Sequence, residues 1–523
     1  MMARHSAPPS LLTVSPPTPA QASLGRVARG AVANLTGAAV MAVATFGVTM
    51  AATRGLPRAQ AGVFFSTTSL FLLAVSVGQL GTDTGLVYFL SRSRTLGDNH
   101  RARRFFQIAM RPVLISAVCM AIAMWVLAPE IASATVPGHQ QQATGYLRAL
   151  ALFIPFAGVE NVALSATRGM GRMRANAIIE QLGRAPVQMM LVVAVVVLPA
   201  TGLFVWAWAA AYAPAAVLAW LAWRRLRPAD AEPVDDPDDA RLGRIFWRFS
   251  VPRALTSVAQ IAMQRFDIVL VGALSGASNA AIYAAATRFV VAGQMANNAV
   301  AQATQPRLAE TLTRGDHAGT NDLYQHATAW LLLVSGPIYG VLLVFGRPLL
   351  HVFGRGYGAG SMVLVLISLS LVVSAACGMV DGVLSMAGHT SWNLANILLA
   401  FGVNLGLDLW LIPSHGVLGA AIGWATAIVI KNLAALSQVA LALHLHPFGR
   451  ASGTIGAIVL VCFGAIPLAA RVLVGNSVIG LFVGLAAAAP VYLCMVWIFR
   501  RPLRLDSLRA LRRRRRPMPT GEL

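Results

Sequence analysis

Residues 91–104, SRSRTLGDNHRARR, and the residues that follow at 105–128, FFQIAMRPVLISAVCMAIAMWVLA, show the pattern that decides the fold. A short arginine-rich loop precedes an apolar segment long enough to cross a bilayer as a helix, for which about 20 residues suffice. The same alternation of loop and apolar segment continues along most of the 523 residues, 57% of which are hydrophobic. The sequence therefore predicts an all-α, polytopic membrane protein.

About fourteen crossings fit between residues 30 and 499. Seven form the first group, near 30–53, 61–91, 105–128, 146–167, 175–199, 202–223 and 249–273. Seven more follow, near 279–305, 326–346, 360–388, 392–412, 416–443, 451–470 and 477–499.

Charge sets the orientation of these crossings. With the N-terminus in the cytoplasm, 29 of the 41 lysines and arginines fall inside, five fall outside and seven lie within crossings. This split follows the positive-inside rule and predicts an inner-membrane protein with both termini cytoplasmic. Because topology already accounts for the net charge of +22, we expect no nucleic-acid partner.

The segments outside the crossings are short. Residues 1–29 are predicted to be a disordered cytoplasmic tail, 224–248 a cytoplasmic loop, and 500–523 an arginine-rich cytoplasmic tail that can attract anionic membrane lipid. The remaining segments give an N-lobe at 30–223, a C-lobe at 249–443 and two further helices at 444–499.

Several chemistries find no support in the sequence. Lys431 is the only lysine and follows no glycine-rich phosphate loop, so the chain cannot be its own P-loop ATPase. The four cysteines lie singly in apolar segments, and His444 and His446 have no third metal ligand nearby. We read the acidic run at 235–239 as a solvated linker rather than a nucleotide-sugar motif. We therefore expect no cofactor, no metal and no enzymatic activity.

An internal repeat relates the two halves. Residues 95–109, TLGDNHRARRFFQIA, align without gaps with residues 313–327, TRGDHAGTNDLYQHA, at a shift of 218 positions. A repeat of six crossings preserves orientation, so the halves should be parallel repeats about an axis along the membrane normal. This predicts two six-helix lobes around a central cavity, with crossings thirteen and fourteen outside the repeat.

Two short motifs resemble a known family. The stretch LPRAQAGVF at 56–64 with GTDTG at 81–85, and its counterpart LSGASNAAIY at 274–283, resemble polysaccharide transporters, the Wzx-type members of the multidrug/oligosaccharidyl-lipid/polysaccharide flippase superfamily. The resemblance implies a flippase that moves a lipid-linked oligosaccharide by alternating access. The superfamily's lipid II flippases also have fourteen crossings, but their arginines in crossing one are not matched here, which favours a polysaccharide repeat unit over lipid II.

Polar residues at helical spacing predict which faces line the cavity, since polar side chains are costly in lipid. Crossings two, seven, eight, ten and eleven each carry such a stripe, although hydrogen bonds between helices are the alternative explanation. The candidate substrate-binding residues taken from the stripes and their charges are Asp83, Gln264, Arg265, Asp267, Arg288, Gln294, Asn298, Asp381 and Asp408.

Arg265 and Arg288 are the strongest candidates. Each lies about nine residues from the external turn near 274–279, or roughly 13 Å at 1.5 Å per residue. Two arginines at one depth can bind a pyrophosphate through charge-assisted hydrogen bonds. Their repeat counterparts, Gly47 and Leu70, are uncharged, so symmetry does not require them. Ion pairing with Asp267 or Asp408 is the structural alternative.

The sequence thus favours a secondary flippase for lipid-linked oligosaccharide that works beside a polysaccharide polymerase and glycosyltransferases. A lipid II flippase, a cation-coupled drug exporter and a membrane glycosyltransferase or polymerase remain alternatives. The small outer loops count against the enzyme, and the acidic residues Asp83 and Glu160 lie too near the inner ends of their crossings to favour the exporter.

Overall fold

The computed structural model describes residues 19–226 and 239–500, and within these ranges the chain is almost wholly helical, with no strand. Twelve helices there are long and apolar enough to cross a membrane, and a thirteenth is formed by two segments bent by 41°. The prediction of an all-α, multi-pass membrane protein is confirmed.

The N-lobe is built from the helices up to residue 226. These are α1 Pro19–Gly55, α2 Arg58–Gly78, α3 Thr82–Thr95, α4 Asn99–Val126, α5 Ala128–Thr135, α6 Gln140–Ala151, α7 Ile154–Gly169, α8 Met173–Asn176, α9 Ala185–Val197, α10 Phe204–Ala210 and α11 Tyr212–Leu226. A π-helix, Ala177–Arg184, joins α8 to α9.

The C-lobe and the terminal helices follow. They are α12 Asp239–Ser275, α13 Ala277–Thr287, α14 Val290–Thr313, α15 His317–Leu350, α16 Ser361–Cys377, α17 Val380–Met386, α18 Thr390–His415, α19 Val417–Leu443, α20 Arg450–Val459, α21 Ile466–Val474 and α22 Val478–Ile498. A π-helix, Leu460–Ala465, connects α20 to α21.

The eighth predicted crossing consists of α13 and α14, and it is missing from the twelve apolar spans. Gln294, Asn297 and Asn298 make α14 polar, and their side chains are exposed. A polar helix at this place needs water or protein beside it rather than lipid. Counting this crossing and the bent pair, the structure agrees with about fourteen crossings.

The 218-residue repeat is visible in backbone detail. Gly97 and Gly315 both have φ +69°, and each closes the helix before it. The next residue caps the following helix: the Asp98 carboxylate accepts from the Arg101 amide at 2.9 Å, and that of Asp316 accepts from the Gly319 amide at 2.8 Å. The same turn therefore joins crossings two and three and crossings eight and nine.

The lobes meet at their predicted outer ends. Helix α2 packs along α13 and the outer half of α12. The approach is so close that a Cβ on Gly62 would overlap the carbonyl oxygen of Ala277. Farther in, α3 and α14 have no comparable contact within the described chain. The lobes are therefore closed at the predicted outer side and diverge toward the predicted inner side along this pair.

Helix α12 bridges both lobes. Its inner end packs into the N-lobe, where Phe246 is fully buried with Leu86 and Phe89. Its outer half contacts α18 and α19 of the C-lobe. A Cβ on Gly81, φ +72°, would overlap the Ser250 carbonyl oxygen, so this turn between α2 and α3 needs a glycine.

The two terminal crossings, α20–α21 and α22, pack on the outside of α15. Gly336 and Gly340 of α15 leave room for Val459 and Phe463. The Tyr492 hydroxyl donates to the Leu333 carbonyl at 2.5 Å.

The predicted tails and loop lie only partly within the described residues. Helix α1 begins at Pro19, inside the segment 1–29 predicted as disordered. Residues 1–18, 227–238 and 501–523 lie outside the described residues. They hold most of that tail, the middle of the predicted loop 224–248 with most of the acidic run at 235–239, and nearly all of the arginine-rich C-terminal tail. The last ten residues of the predicted loop, 239–248, belong to helix α12.

Candidate functional site

Two adjoining cavities lie between the lobes, and Arg265 and Arg288 line both of them. The larger, about 150 Å³, is walled by the N-lobe. The smaller, about 60 Å³, is walled by the C-lobe and includes Gln264, Asp267 and Gln294. The two arginines thus stand at the boundary between the lobes, as the sequence predicted for a central cavity.

Local structure explains how Arg288 reaches this boundary. It lies at the break between α13 and α14, where the amides of Arg288 and Phe289 bond to carbonyls three residues back at 3.3 and 3.4 Å. Its Nε donates to the Ala284 carbonyl at 3.3 Å. Interrupted membrane helices are a recurring feature of transporter binding sites, because they leave backbone and side-chain polar groups facing the cavity.

Neither arginine is neutralised by an acid within the described chain. Arg265 is half-buried on α12 and has no hydrogen bond or ion pair there. Both guanidinium groups line the same two small cavities, so two positive charges of like sign face one space. A dianion between them would relieve this repulsion and the cost of two poorly solvated charges.

The alternative of structural ion pairing is not what the structure shows. Asp267 accepts hydrogen bonds from the Tyr283 hydroxyl at 2.7 Å and from the Asn404 amide at 2.8 Å. The same amide group donates to Asp408 at 2.9 Å. Both carboxylates are 2% exposed or less, and neither forms an ion pair among the described residues.

The buried network of Asp267, Asn404 and Asp408 can exist in more than one charge state. Two carboxylates that share one amide in a helix bundle repel each other if both are charged. A shared proton or a bound monovalent cation would remove that repulsion. Asp267 lines the smaller cavity, so its charge state bears directly on the arginine beside it along α12.

The N-lobe wall contributes a third arginine that the sequence reasoning did not select. Arg184 ends the π-helix and lines the larger cavity. The spacing of four residues on one helix predicts an ion pair between Glu180 and Arg184. That contact exists at 3.6 Å, but the shorter contact of Arg184 is with Glu160 at 3.0 Å. The Arg184 guanidinium also lies 4.6 Å from the centre of the Tyr212 ring. Its position in mid-crossing was the signal that could have identified it.

A third cavity, about 460 Å³, continues from the site into the C-lobe. It is lined by Gln294 and Asn298, whose side chains are exposed, and by Asp381. Asp381 forms an ion pair with Lys431. The cavity gives the two arginines a polar route along α14.

The structure brings together most of the predicted site residues. Gln264, Arg265, Asp267, Arg288, Gln294, Asn298 and Asp381 line the connected cavities, and Asp408 lies one hydrogen bond behind them. Asp83 is separate: it lies in the first turn of α3 and lines none of these three cavities.

An aromatic cluster closes the outer side of the site. Phe46 of α1 contacts Phe289 and Phe353 of the C-lobe, with ring centroids 5.7 and 4.9 Å apart. Tyr357 adds a fourth ring, 6.5 Å from Phe353. The cluster begins at Phe289, the residue next to Arg288, and leads through Phe353 to Tyr357.

The sequence profile of a family described as polysaccharide biosynthesis protein matches residues 65–359, more than half of the chain. The chain belongs to this family. The predicted resemblance is thereby confirmed. No protein of curated function matches the sequence significantly.

Solved structures with the same fold are transporters. The lipid II flippase MurJ in its inward closed conformation is 13% identical, with a TM-score of 0.68 over 91% of this chain and 99% of that one. An inward-facing multidrug resistance MATE family transporter of the MOP superfamily is 14% identical, with a TM-score of 0.63 over 79% of this chain and 98% of that one.

A MOP superfamily transporter from Pyrococcus furiosus Vc1 (DSM3638) shares the fold at 15% identity, with a TM-score of 0.55 over 80% of this chain and 95% of that one. At these identities the likeness concerns the fold. Family and fold together support a transporter or flippase of the membrane.

Proposed function

We propose that this protein is a secondary flippase that moves a polyprenyl-pyrophosphate-linked oligosaccharide across the inner membrane for cell-surface polysaccharide synthesis. Both termini lie in the cytoplasm in this proposal, and the protein works beside a polymerase and glycosyltransferases. It has no catalytic residue, and its role is transport.

The observation that carries the proposal is the pair Arg265 and Arg288 at the boundary between the lobes. Neither meets a carboxylate in the described chain, and both line two cavities. An arginine in a crossing costs about 3 kcal/mol on insertion scales unless it is compensated. A pyrophosphate supplies the compensation, since each guanidinium can give it two parallel hydrogen bonds.

The geometry also supports alternating access. The lobes are closed at the outer side by α2 against α13 and by the aromatic cluster, while α3 and α14 separate toward the inner side. The site is thus placed to receive a headgroup from the cytoplasmic leaflet. Rocking the lobes about the site would separate Phe46 from Phe289 and Phe353 and open the outer side.

Buried polar groups identify a means of driving the cycle. The chain holds no nucleotide loop, so its energy comes from a gradient of ions or of the substrate. The Asp267, Asn404 and Asp408 network can exchange a proton or a monovalent cation and lies beside Arg265. We propose that its occupancy biases the equilibrium between the two lobe arrangements.

Reconstituted proteoliposomes test the function. A fluorescent polyprenyl-pyrophosphate disaccharide is placed in both leaflets, and a soluble glycosidase added outside reports the fraction that becomes accessible. Wild-type protein should expose the inner-leaflet pool, and purified protein should hydrolyse no ATP. Equal rates with and without protein, or ATP-dependent rates with protein alone, would contradict the proposal.

The lipid substrate is distinguished in the same vesicles. Lipid II carries the same pyrophosphate, and MurJ shares the fold over nearly the full length of both chains. A repeat-unit carrier should move the polyprenyl-pyrophosphate disaccharide at least about tenfold faster than lipid II. The reverse preference would assign the chain to lipid II.

A further inference from the structure

A second basic cavity lies at the outer end of the lobe interface, beyond the aromatic cluster. Its volume is about 610 Å³, and we call it the outer pocket. Its lining consists of Thr53, Arg54, Leu56 and Arg58 from the N-lobe and His351, Gly354, Arg355 and Tyr357 from the C-lobe.

The outer pocket is rich in arginine, although few arginines lie on the predicted outer side of the protein. In the predicted orientation the chain has five outer arginines, and Arg54, Arg58 and Arg355 all line this one cavity. No aspartate or glutamate lines it, and within the described residues none of the three arginines forms an ion pair. The positive charges of these three arginines are therefore not neutralised until an anion binds.

Glycines shape the pocket around these side chains. A Cβ on Gly356, φ +98°, would overlap the Arg58 guanidinium, and one on Gly358 would lie 2.8 Å from Nε2 of His351. The loop between α15 and α16 thus leaves space for the side chains of Arg58 and His351. The Arg58 guanidinium also lies 5.7 Å from the centre of the Tyr357 ring.

The arginines of the N-lobe reach across to the C-lobe. Arg54 Nε donates to the Val352 carbonyl at 2.7 Å, and Arg58 donates to the Arg355 carbonyl at 3.4 Å. Both bonds are exposed and use one donor of each guanidinium, which leaves further donors for a ligand. The pocket therefore depends on the closed arrangement of the lobes.

A separate observation points to a missing acceptor. The hydroxyl of Tyr357 is buried and has no hydrogen-bond partner among the residues that the structure describes, and the residue as a whole is 2% exposed. A buried hydroxyl without a partner destabilises the folded protein, because it has lost its hydrogen bond to water. An anion oxygen in the outer pocket can accept its hydrogen bond.

The internal repeat shows that the pocket is not a by-product of symmetry. The segment of the N-lobe that corresponds to 346–359, residues 128–141, contains Glu130 and no arginine or lysine. His139 stands where the C-lobe has Tyr357. The basic loop is thus a property of one half only.

We propose that the outer pocket binds the pyrophosphate of the translocated lipid on the outer side of the membrane. Arg54, Arg58 and Arg355 hold the anion and the Tyr357 hydroxyl donates to it. This inference rests on the proposed function. It gives the transported headgroup two successive sites, the Arg265–Arg288 pair and the outer pocket, with the aromatic cluster between them.

The test measures binding of radiolabelled inorganic pyrophosphate to the full-length protein in phosphatidylcholine nanodiscs. The background is R265A/R288A, which removes the central site. Saturable binding should remain in this background. R58Q/R355Q added to it should weaken that binding at least about tenfold, because charge-assisted hydrogen bonds are lost.

Two further variants show whether any loss of binding comes from the lost charge or from misfolding. R58K/R355K keeps the charge and should recover part of the binding, which a misfolded protein could not do. R471Q is the matched control, since Arg471 is also an outer arginine but donates to the Val344 carbonyl at 2.9 Å and does not line the pocket. R471Q should bind as the background does.

Lipid composition distinguishes the source of the phosphate. With phosphatidylglycerol in the nanodisc, pyrophosphate affinity should change less than threefold if the pocket serves the substrate. Displacement by phosphatidylglycerol would make the pocket a headgroup site and overturn the proposal. So would absence of saturable binding, or unchanged binding in R58Q/R355Q. Binding as expected in a protein that translocates no lipid would count against the proposed function and leave the anion site standing.

Discussion

Phe46 of the N-lobe and Phe353 of the C-lobe lie with their ring centroids 4.9 Å apart, which makes them a direct contact between the lobes. On one side of this contact is the arginine pair of the central cavity, and on the other is the outer pocket. We expect passage from one basic site to the other to separate these rings. The contact therefore works as the outer gate in the proposed cycle.

Removing the Phe46 ring should open this gate more often. Aromatic pairs contribute about 0.5–1.5 kcal/mol beyond their buried area. Thr45 lines the larger cavity beside the arginine pair, so T45C in a cysteine-free background reports access from outside. In this background, F46A should increase labelling of T45C by an impermeant maleimide about fivefold.

V43A is the control for this measurement. Val43 lies on the same helix but is 67% exposed and outside the cavity lining. Labelling of T45C should be the same in V43A as in the parent. An increase in V43A equal to that in F46A would show that the ring contact does not hold the gate.

The carboxylate network predicts a stability effect. N404L removes the donor shared by Asp267 and Asp408 and leaves both carboxylates less satisfied. The free energy of unfolding in detergent should fall by about 2 kcal/mol. L409A on the lipid-exposed face of the same helix should change it by less than about 0.5 kcal/mol. A stable N404L protein would mean that the network is not a structural unit.

The same network predicts a transport effect that is separable from folding. D408N keeps the shape of the side chain but removes a titratable charge beside Asn404. The variant should fold, and its translocation rate in proteoliposomes should no longer respond to an imposed gradient of protons or sodium. A response like that of the wild type would place the coupling elsewhere.

The repeated turn predicts two equal stability effects. D98A and D316A each remove the side-chain cap of a long helix, and such caps contribute about 1 kcal/mol. The two losses in the free energy of unfolding should be similar and should add in the double variant. E310A, which breaks only an exposed pair with Arg314, is the control and should cost less than about 0.5 kcal/mol. Strongly unequal losses from D98A and D316A would argue against equivalent turns.

Much of the fold could be predicted from local sequence properties. Apolar length located the crossings, and the shift of 218 positions located two turns that share the same glycine φ of +69°. Crossing eight was predicted near 279–305 with the other apolar segments although α14 carries Gln294, Asn297 and Asn298, and the repeat pairs it with crossing two. The interruptions at Leu80 and at Arg288 were not predictable, since each depends on a neighbouring helix or cavity rather than on propensity.

Some residues of the candidate site could likewise be predicted from the sequence, and others could not. Arg265, Arg288 and Asp267 could be predicted because they are charged residues in apolar segments. The free-energy cost of placing a charged side chain in lipid can be judged without a structure. Arg184 was assigned to its helical neighbour Glu180, since the Glu160 contact joins residues 24 positions apart and needs the packed lobe. The sequence pattern places Asp83 in the polar stripe of crossing two. In the structure this crossing is divided into α2 and α3, and Asp83, on α3, lies outside the connected cavities.

Orientation can be tested with three cysteines at exposed positions. In a cysteine-free background, S133C and S414C should react with an impermeant maleimide in intact cells, and R172C only after permeabilisation. The expectation follows from the uneven distribution of arginines among the loops. Reaction of R172C in intact cells would reverse the assignment of the inner and outer sides.

The central claim is that Arg265 and Arg288 bind the pyrophosphate of a lipid-linked oligosaccharide between the lobes. The control is R253A: Arg253 lies on the same helix, donates to the Phe249 carbonyl at 3.0 Å and lines none of the three cavities. It should transport at nearly the wild-type rate, with all variants present in the membrane in equal amounts.

The decisive measurement is the initial rate at which reconstituted protein exposes a polyprenyl-pyrophosphate disaccharide to the outside. R265A and R288A should each lower this rate about 10- to 100-fold, in line with the loss of a charge-assisted, bidentate contact. R265K and R288K should recover part of it, because lysine keeps the charge and loses the planar fork. Transport by R265A/R288A at the rate of R253A would contradict the claim.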